Sequence, residues 1–191
     1  VGKRNLFLDM DGTLINSIKR VVELFDEDYL EHKGYYKVHW TDINSWDFKE
    51  LLLLDKKQVN DYFCDPRFFD HRLEYMDNAY EVINRLKNYF YIHLVSMGLK
   101  ENLSLKQTWI QENLPFSNFI GCDFNNVNDK SHIDMSEGII IDDVAKNLDS
   151  SSAEEKIVFG DIYPWNFESK YTRMYNCTDL EKYLMNIYKN N

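Results

Sequence analysis

The 191-residue chain is acidic: 32 Asp and Glu stand against 22 Lys and Arg, a formal net charge of −10. It has no Lys/Arg run, so it lacks the basic face that a polymeric nucleic acid requires. No apolar run approaches the roughly 20 residues needed to cross a bilayer, so neither nucleic acid nor membrane is an expected partner. Hydrophobic residues at 44% and charged residues at 28% suit a globular chain that buries one core and carries a modest insertion. Cys64, Cys122 and Cys177 are odd in number and widely spaced. They fit no disulfide framework or metal-ligand spacing, so reduced thiols and a cytoplasmic location are expected. The chain enters its first strand almost at once, and no signal peptide is expected.

In chain order, the first element is the most informative. Leu6-Phe7-Leu8 is a short apolar run that predicts a strand buried on both faces of a parallel sheet. It leads into Asp9-Met10-Asp11-Gly12-Thr13. Alternation along an extended chain puts Asp9 and Asp11 on one side and Met10 on the other. Two carboxylates held that close repel each other unless a cation or a shared proton relieves them. A solvated acidic turn would have no need of a buried strand aimed at it. Gly12 allows a sharp turn, and chemistry in open α/β sheets gathers at such strand ends.

Residues 16–77 are too long for a crossover and too aromatic for a linker. Helical periodicity runs through Ile18, Val21, Val22, Phe25 and Tyr29. Tyr35, Tyr36, Trp40, Trp46, Phe48, the apolar run 51–54, Phe63, Phe68 and Phe69 follow. This segment is expected to be a small, mainly helical cap. The remaining core is expected to occupy residues 1–15 and 78–191.

Beyond it, Val82, Ile83 and Leu86 predict a helix over 79–89, followed by a strand over 91–95 that ends at Ser96. The Ser96 hydroxyl and backbone N–H could hold a phosphoryl oxygen, with Lys100 adding charge. Leu105, Trp109 and Ile110 predict a second helix ended by Pro115, and residues 119–122 a third strand. Ile139-Ile140-Ile141 predicts a fourth strand ending in Asp142-Asp143, a pair costly to bury without a cation. A fifth strand is expected over 156–159. Thr178 to Glu181 has the spacing of a capping box for a C-terminal helix. Strands alternating with helices predict an α/β fold with a doubly wound parallel sheet. The five histidines show no paired zinc spacing, and no Gly-rich phosphate loop is present.

The Asp-x-Asp-Gly-Thr sequence after an apolar strand closely resembles the first motif of phosphatases in the haloacid dehalogenase superfamily. The resemblance implies that Asp9 is a nucleophile forming an aspartyl-phosphate and that Asp11 is the general acid and base. It implies that Ser96 is the second motif and Lys130, rather than Lys146, the third. Both would contact phosphate, and the inserted segment would be a cap of the type that lies over the active site. Mg²⁺ would then be held by Asp9, the backbone oxygen of Asp11, and one of Asp142 or Asp143, with the choice between the last two open.

Trp46-x-Phe48, Arg67-Phe68-Phe69, Asp129-Lys130, the Ile-Ile-Ile-Asp-Asp run and Phe159-Gly-Asp-Ile-Tyr-Pro-Trp165-Asn together look like the 5′(3′)-deoxyribonucleotidase family. That likeness implies a nucleoside monophosphate substrate, its base stacked on Trp46, Phe48, Phe68 or Phe69. Departures from the family pattern are Met97-Gly98, Asn128 and Val144, in the phosphate and sugar surroundings. A phosphatase of another small metabolite such as a sugar phosphate, and a non-catalytic phosphate or nucleotide sensor, are the alternatives. Whether the chain acts as a monomer or a homodimer is left open.

Overall fold

A computed structural model describes residues 2–190. The sheet has six strands, all parallel, in the order β3-β2-β1-β4-β5-β6. They are β1 (Arg4–Asp9), β2 (Phe90–Gly98), β3 (Asn118–Asp123), β4 (Ile139–Asp142), β5 (Glu155–Phe159) and β6 (Thr172–Met174). The strand order reverses beside β1, which pairs with β2 on one edge and β4 on the other. In register, Asp9 lies opposite Val95, and Leu8 opposite both Leu94 and Ile141. The carboxyl ends of β1, β2 and β4 therefore converge at the switch point, where open α/β sheets place their ligands.

Alternation along β1 is what anchors it. Leu6 and Leu8 join the larger hydrophobic cluster, while Phe7 faces Val95, Cys122, Met135, Ile140 and Val158 in a second cluster. Both faces are covered, as the continuous apolar run implied. Helices α1 (Ser17–Tyr29), α2 (Lys56–Phe63), α3 (Ala79–Leu86), α4 (Lys100–Asn113), α5 (Ala145–Ser150) and α6 (Cys177–Asn190) complete the chain. No helix among the described residues is long and apolar enough to cross a membrane.

Two short elements, β6 and α5, were not expected. A three-residue edge strand is half-buried and shows no alternation to read, and a six-residue helix has too few turns for a period. The C-terminal helix starts two residues earlier than its expected capping box placed it. Asn176 Oδ1 accepts the Asp179 N–H at 2.8 Å, so Asn176 caps it. Glu181 instead pairs with Arg85 at 2.6 and 2.7 Å, tying α6 to α3.

The segment expected to form a small helical cap lies between β1 and α3. It holds α1, α2 and two 3-10 turns, Trp40–Asp42 and Pro66–Phe69. The chain leaves and returns side by side: Asn16 N–H donates to Glu74 O and Met76 N–H to Leu14 O, each at 2.9 Å. Asn16 also caps α1 by accepting the Lys19 N–H, and Asp55 with Gln58 forms a capping box on α2. Phe25, Ile43, Phe48, Leu51, Val59 and Phe68 join the same cluster as Leu6 and Leu8, so the cap shares the apolar core of the sheet. The fully buried Arg20 of α1 binds the second 3-10 turn, donating to Arg67 O at 2.7 Å and Asp70 Oδ2 at 3.2 Å.

Gly138, just before β4, allows the closest backbone approach in the core. A Cβ there would lie 2.7 Å from Phe7 Cε2 and 2.9 Å from the Met135 carbonyl oxygen. Gly138→Ala should therefore lower stability by about 1–3 kcal/mol through overpacking. The expected readout is a lower urea midpoint at unchanged m-value, and a wild-type midpoint would show that Phe7 yields freely.

Candidate active site

Six of the residues singled out in the sequence meet at the carboxyl edge of the sheet. Asp9 ends β1 and Asp142 ends β4, with Asp143 next in the chain. Met10 turns into the core, as alternation requires, and its carbonyl accepts the Leu14 and Ile15 N–H groups in a tight turn. Gly12 takes a positive φ of 79° in that turn. A Cβ on it would sit 2.8 Å from Asp143 Oδ2, so only glycine lets the two loops approach this closely.

The ammonium of Lys130, fully buried, lies 2.5 Å from both Asp9 Oδ1 and Asp142 Oδ2. It also donates to the Val95 carbonyl at 3.3 Å. Burial pushes the Lys130 pKa down, but the charges of Asp142 and Asp9 outweigh it and hold the group above its ordinary value. Lys146, the rival in sequence, is exposed on α5.

Asp11 is held by a separate set of donors. Ser17 Oγ donates to its Oδ1 at 2.5 Å, and Ser96 Oγ to its Oδ2 at 3.2 Å. Lys106, also fully buried, makes an ion pair with the same Oδ2 and donates to Ser96 Oγ at 2.7 Å. Lys106 was not singled out in the sequence, although a signal was there. The buried face of α4 is Asn102, Lys106, Trp109 and Ile110, which puts Lys106 one turn before Trp109 and Ile110 on the inward side. Reading Leu105 into that stripe hid the lysine beside it.

Asp9, Asp142 and Asp143 each offer an oxygen within 4.8 Å of the others, a grouping that could hold a metal ion. Burial raises the Asp9 carboxyl to about 7, with Asp142 and Asp11 adding to the effect and Lys130 opposing it. Burial likewise raises Asp143, helped by Asp9 and Asp142 and opposed by the Trp165 N–H and Lys130. The two aspartates of the β4 end are not equivalent. Asp142 accepts from Lys130, Asn147 Nδ2 and the Val144 N–H. Asp143 accepts the Trp165 indole N–H on Oδ2 at 2.8 Å, while its buried Oδ1 has no partner among the described residues.

Two adjoining cavities open onto this edge. The inner one, about 260 Å³, touches Asp9, Asp11, Asp143 and Asn147. The outer one, about 400 Å³, runs under the cap past Asn60, Phe63, Cys64 and Leu99, with Asp47 and Lys56 also on its wall. Trp46, Met97 and Phe124 line both.

The cap aromatics fall into distinct places. Trp46 faces the cleft, and its buried indole N–H has no partner among the described residues. Phe48 and Phe68 are buried in the cap interior, Phe48 with a left-handed φ of 48° beside Trp46 and Phe63. Phe69 packs between Phe68 and Trp109. Lys100 stands exposed at the start of α4, in a surface depression with Cys64, Glu101, Ser104 and Leu105; Lys106, not Lys100, reaches Asp11 and Ser96. Phe124 and Asn147 are further wall residues with no mark in the sequence.

Removing the Lys106 charge should cost stability but leave the secondary structure, and it should disturb Asp11. Lys106→Met is expected to lower kcat for phosphoester hydrolysis by about 10²-fold, the scale of general acid–base help, with an unchanged far-UV circular dichroism spectrum. Wild-type turnover would reduce Lys106 to a packing role.

Comparison with known proteins identifies relatives of this fold. Solved structures with the same fold include a predicted phosphatase from Clostridium acetobutylicum (TM-score 0.63, 15% identity, covering 97% of this chain and 100% of that one). A haloacid dehalogenase-like protein of Agrobacterium tumefaciens gives a TM-score of 0.64 at 12% identity, covering 97% and 99%. A haloacid dehalogenase-type hydrolase of Bacillus subtilis, crystallised with magnesium, gives 0.58 at 15% identity, covering 96% and 99%. No curated protein matches the sequence. Residues 3–188, almost the whole chain, match the family described as 5′ nucleotidase, deoxy (pyrimidine), cytosolic type C protein. The chain belongs to that family, and its fold is that of haloacid dehalogenase-type hydrolases.

Proposed function

We propose that this protein is a Mg²⁺-dependent phosphomonoesterase acting on nucleoside monophosphates, deoxynucleotides above all, through a phosphorylated Asp9. The observation that carries the proposal is the charge balance at the sheet edge. Asp9, Asp11, Asp142 and Asp143 are opposed there by the ammonium groups of Lys106 and Lys130. Buried carboxylates in excess of their partners are costly, and a divalent cation relieves that excess.

The donor set fits such an ion. Asp143 stands with Asp9 in this grouping and its buried Oδ1 has no partner among the described residues, whereas the Asp142 oxygens are taken up by Lys130, Asn147 and Val144. This favours Asp143 over Asp142, beside Asp9 and the backbone oxygen of Asp11, as the ligand set for a small cation that prefers oxygen. When bound, the ion would neutralise phosphoryl charge.

The chain's own groups supply the rest. A carboxylate oxygen of Asp9 attacks phosphorus while the bond to the leaving oxygen breaks, and Asp11, which enters this step in its acid form, gives that oxygen its proton. Asp11 then takes a proton from water as the water attacks the phosphorus. The phosphorus–Asp9 bond breaks and inorganic phosphate leaves. Lys130 holds Asp9, and Ser17, Ser96 and Lys106 hold Asp11, so both reacting carboxylates are fixed before substrate arrives.

Asp9→Asn keeps the shape and removes the nucleophile. Phosphate release in Mg²⁺ should fall to background, and EDTA should abolish it in the wild type. Wild-type turnover by Asp9→Asn would overturn this mechanism, and a wild type with no turnover on any phosphomonoester would favour a sensor.

The nucleotide reading rests on Trp46 and the outer cavity. A phosphate in the inner cavity would leave the base between Trp46, Phe63 and Phe124. Stacking contributes about 1–3 kcal/mol per base. Trp46→Ala should therefore raise KM for deoxynucleotides by about tenfold or more, and leave hydrolysis of glycerol phosphate nearly unaltered. Equal losses on both would mean that Trp46 only holds the cap, and would favour a smaller phosphometabolite.

A further inference from the structure

Trp165 lies in the loop after β5, within a short 3-10 turn, Pro164–Asn166, far in sequence from every element of the site. The loop is firmly moored. Asn166 is fully buried and its Nδ2 donates to Phe159 O at 2.9 Å, while Arg173 donates to the Gly160, Asn166 and Phe167 carbonyls. The Trp165 ring lies flat on the buried Tyr163 ring, with centroids 4.3 Å apart and planes at 8°. Its other neighbour is Trp46 of the cap, at 5.3 Å and 39°. Held in this way, its indole N–H donates to Asp143 Oδ2 at 2.8 Å.

We infer that Trp165 is a positioning residue: its indole N–H locks the rotation of the Asp143 carboxylate, so that the other oxygen, Oδ1, faces the cation site, and its ring ties that carboxylate to the cap wall at Trp46. The inference rests on the divalent-cation reading above. Gly12 lies against the same oxygen, where a Cβ would crowd Oδ2 at 2.8 Å. The carboxylate is thus gripped by one oxygen, and the remaining oxygen is buried and without a partner among the described residues. An aspartate fixed in this way presents a single oxygen, as near-octahedral Mg²⁺ coordination demands, and orienting partners of this kind strongly affect metal affinity. Because the same indole contacts Trp46, the wall proposed for the base and the ligand proposed for the metal share one support.

Trp165→Phe keeps the stack on Tyr163 and the contact with Trp46 but removes the N–H; Trp165→Tyr is a second variant of the same kind. Calorimetric titration of the metal-free protein with Mg²⁺ should show Kd raised about tenfold or more in both, with the thermal midpoint in EDTA close to wild type. KM for a deoxynucleotide at saturating Mg²⁺ should hardly move in Trp165→Phe, and should rise in Trp165→Ala, where the Trp46 contact is also lost. Wild-type Mg²⁺ affinity in Trp165→Phe and Trp165→Tyr would overturn this role while leaving the phosphatase reading intact. A wild type that binds no Mg²⁺ would overturn the cation reading and this inference together.

Discussion

Everything at the working edge of this molecule depends on two buried ammonium groups set among four carboxylates. Lys130 and Lys106 are fully buried; Lys130 has two carboxylate partners within ion-pair distance and Lys106 has one. Burying a charge is tolerable only when it is paired and hydrogen-bonded, and removing one partner of such a pair is costly. The two lysines divide the work. Lys130 bridges Asp9 and Asp142 across adjacent strands, whereas Lys106 holds Asp11 and Ser96 from the helix above. The two carboxylates proposed to react are therefore oriented by different elements.

That electrostatic requirement reaches back into the secondary structure. Helix α4 turns Asn102 and Lys106 inward ahead of Trp109 and Ile110, so its buried face is half polar. Both polar residues have partners. Asn102 Nδ2 donates to Phe63 O at 2.6 Å, linking α4 to the cap, and Lys106 reaches the site. An amphipathic helix normally hides its apolar stripe and exposes its charges; here the stripe is interrupted where Asp11 meets a cation. Glycine marks the other limit of the site. Gly12 is compelled both by its positive φ and by the nearness of Asp143.

The cap is joined to the sheet by shared apolar packing, by the crossed backbone bonds at Leu14–Met76 and Asn16–Glu74, and by aromatic contacts over the cleft. Among its aromatics the division of labour is physical. Phe48 and Phe68 are large, wholly apolar and buried, whereas Trp46, with a polar N–H at its edge, lines both cavities.

The sequence by itself determined the strands β1 to β5, the helical, aromatic character of the segment after the first strand, and the acidic strand ends at Asp9, Asp11, Asp142 and Asp143. These are local signals: a buried parallel strand is a continuous apolar run, and a carboxylate at its end is visible one residue later. Ser96 and Lys130 were legible through order along the chain and through resemblance. The tertiary structure alone decided which partners these groups meet. Lys106 lies 95 residues from Asp11, and Trp165 lies 22 residues from Asp143, so neither pairing leaves a trace in local periodicity. The inequality of Asp142 and Asp143 is likewise a matter of which donors reach each oxygen, and those donors arrive from the β3–β4 loop, α5 and the loop after β5. Which cap aromatics line the cleft was also undecided in the sequence, because burial of a ring depends on what packs over it, and a run of aromatic residues reads the same whether it faces inward or toward a ligand.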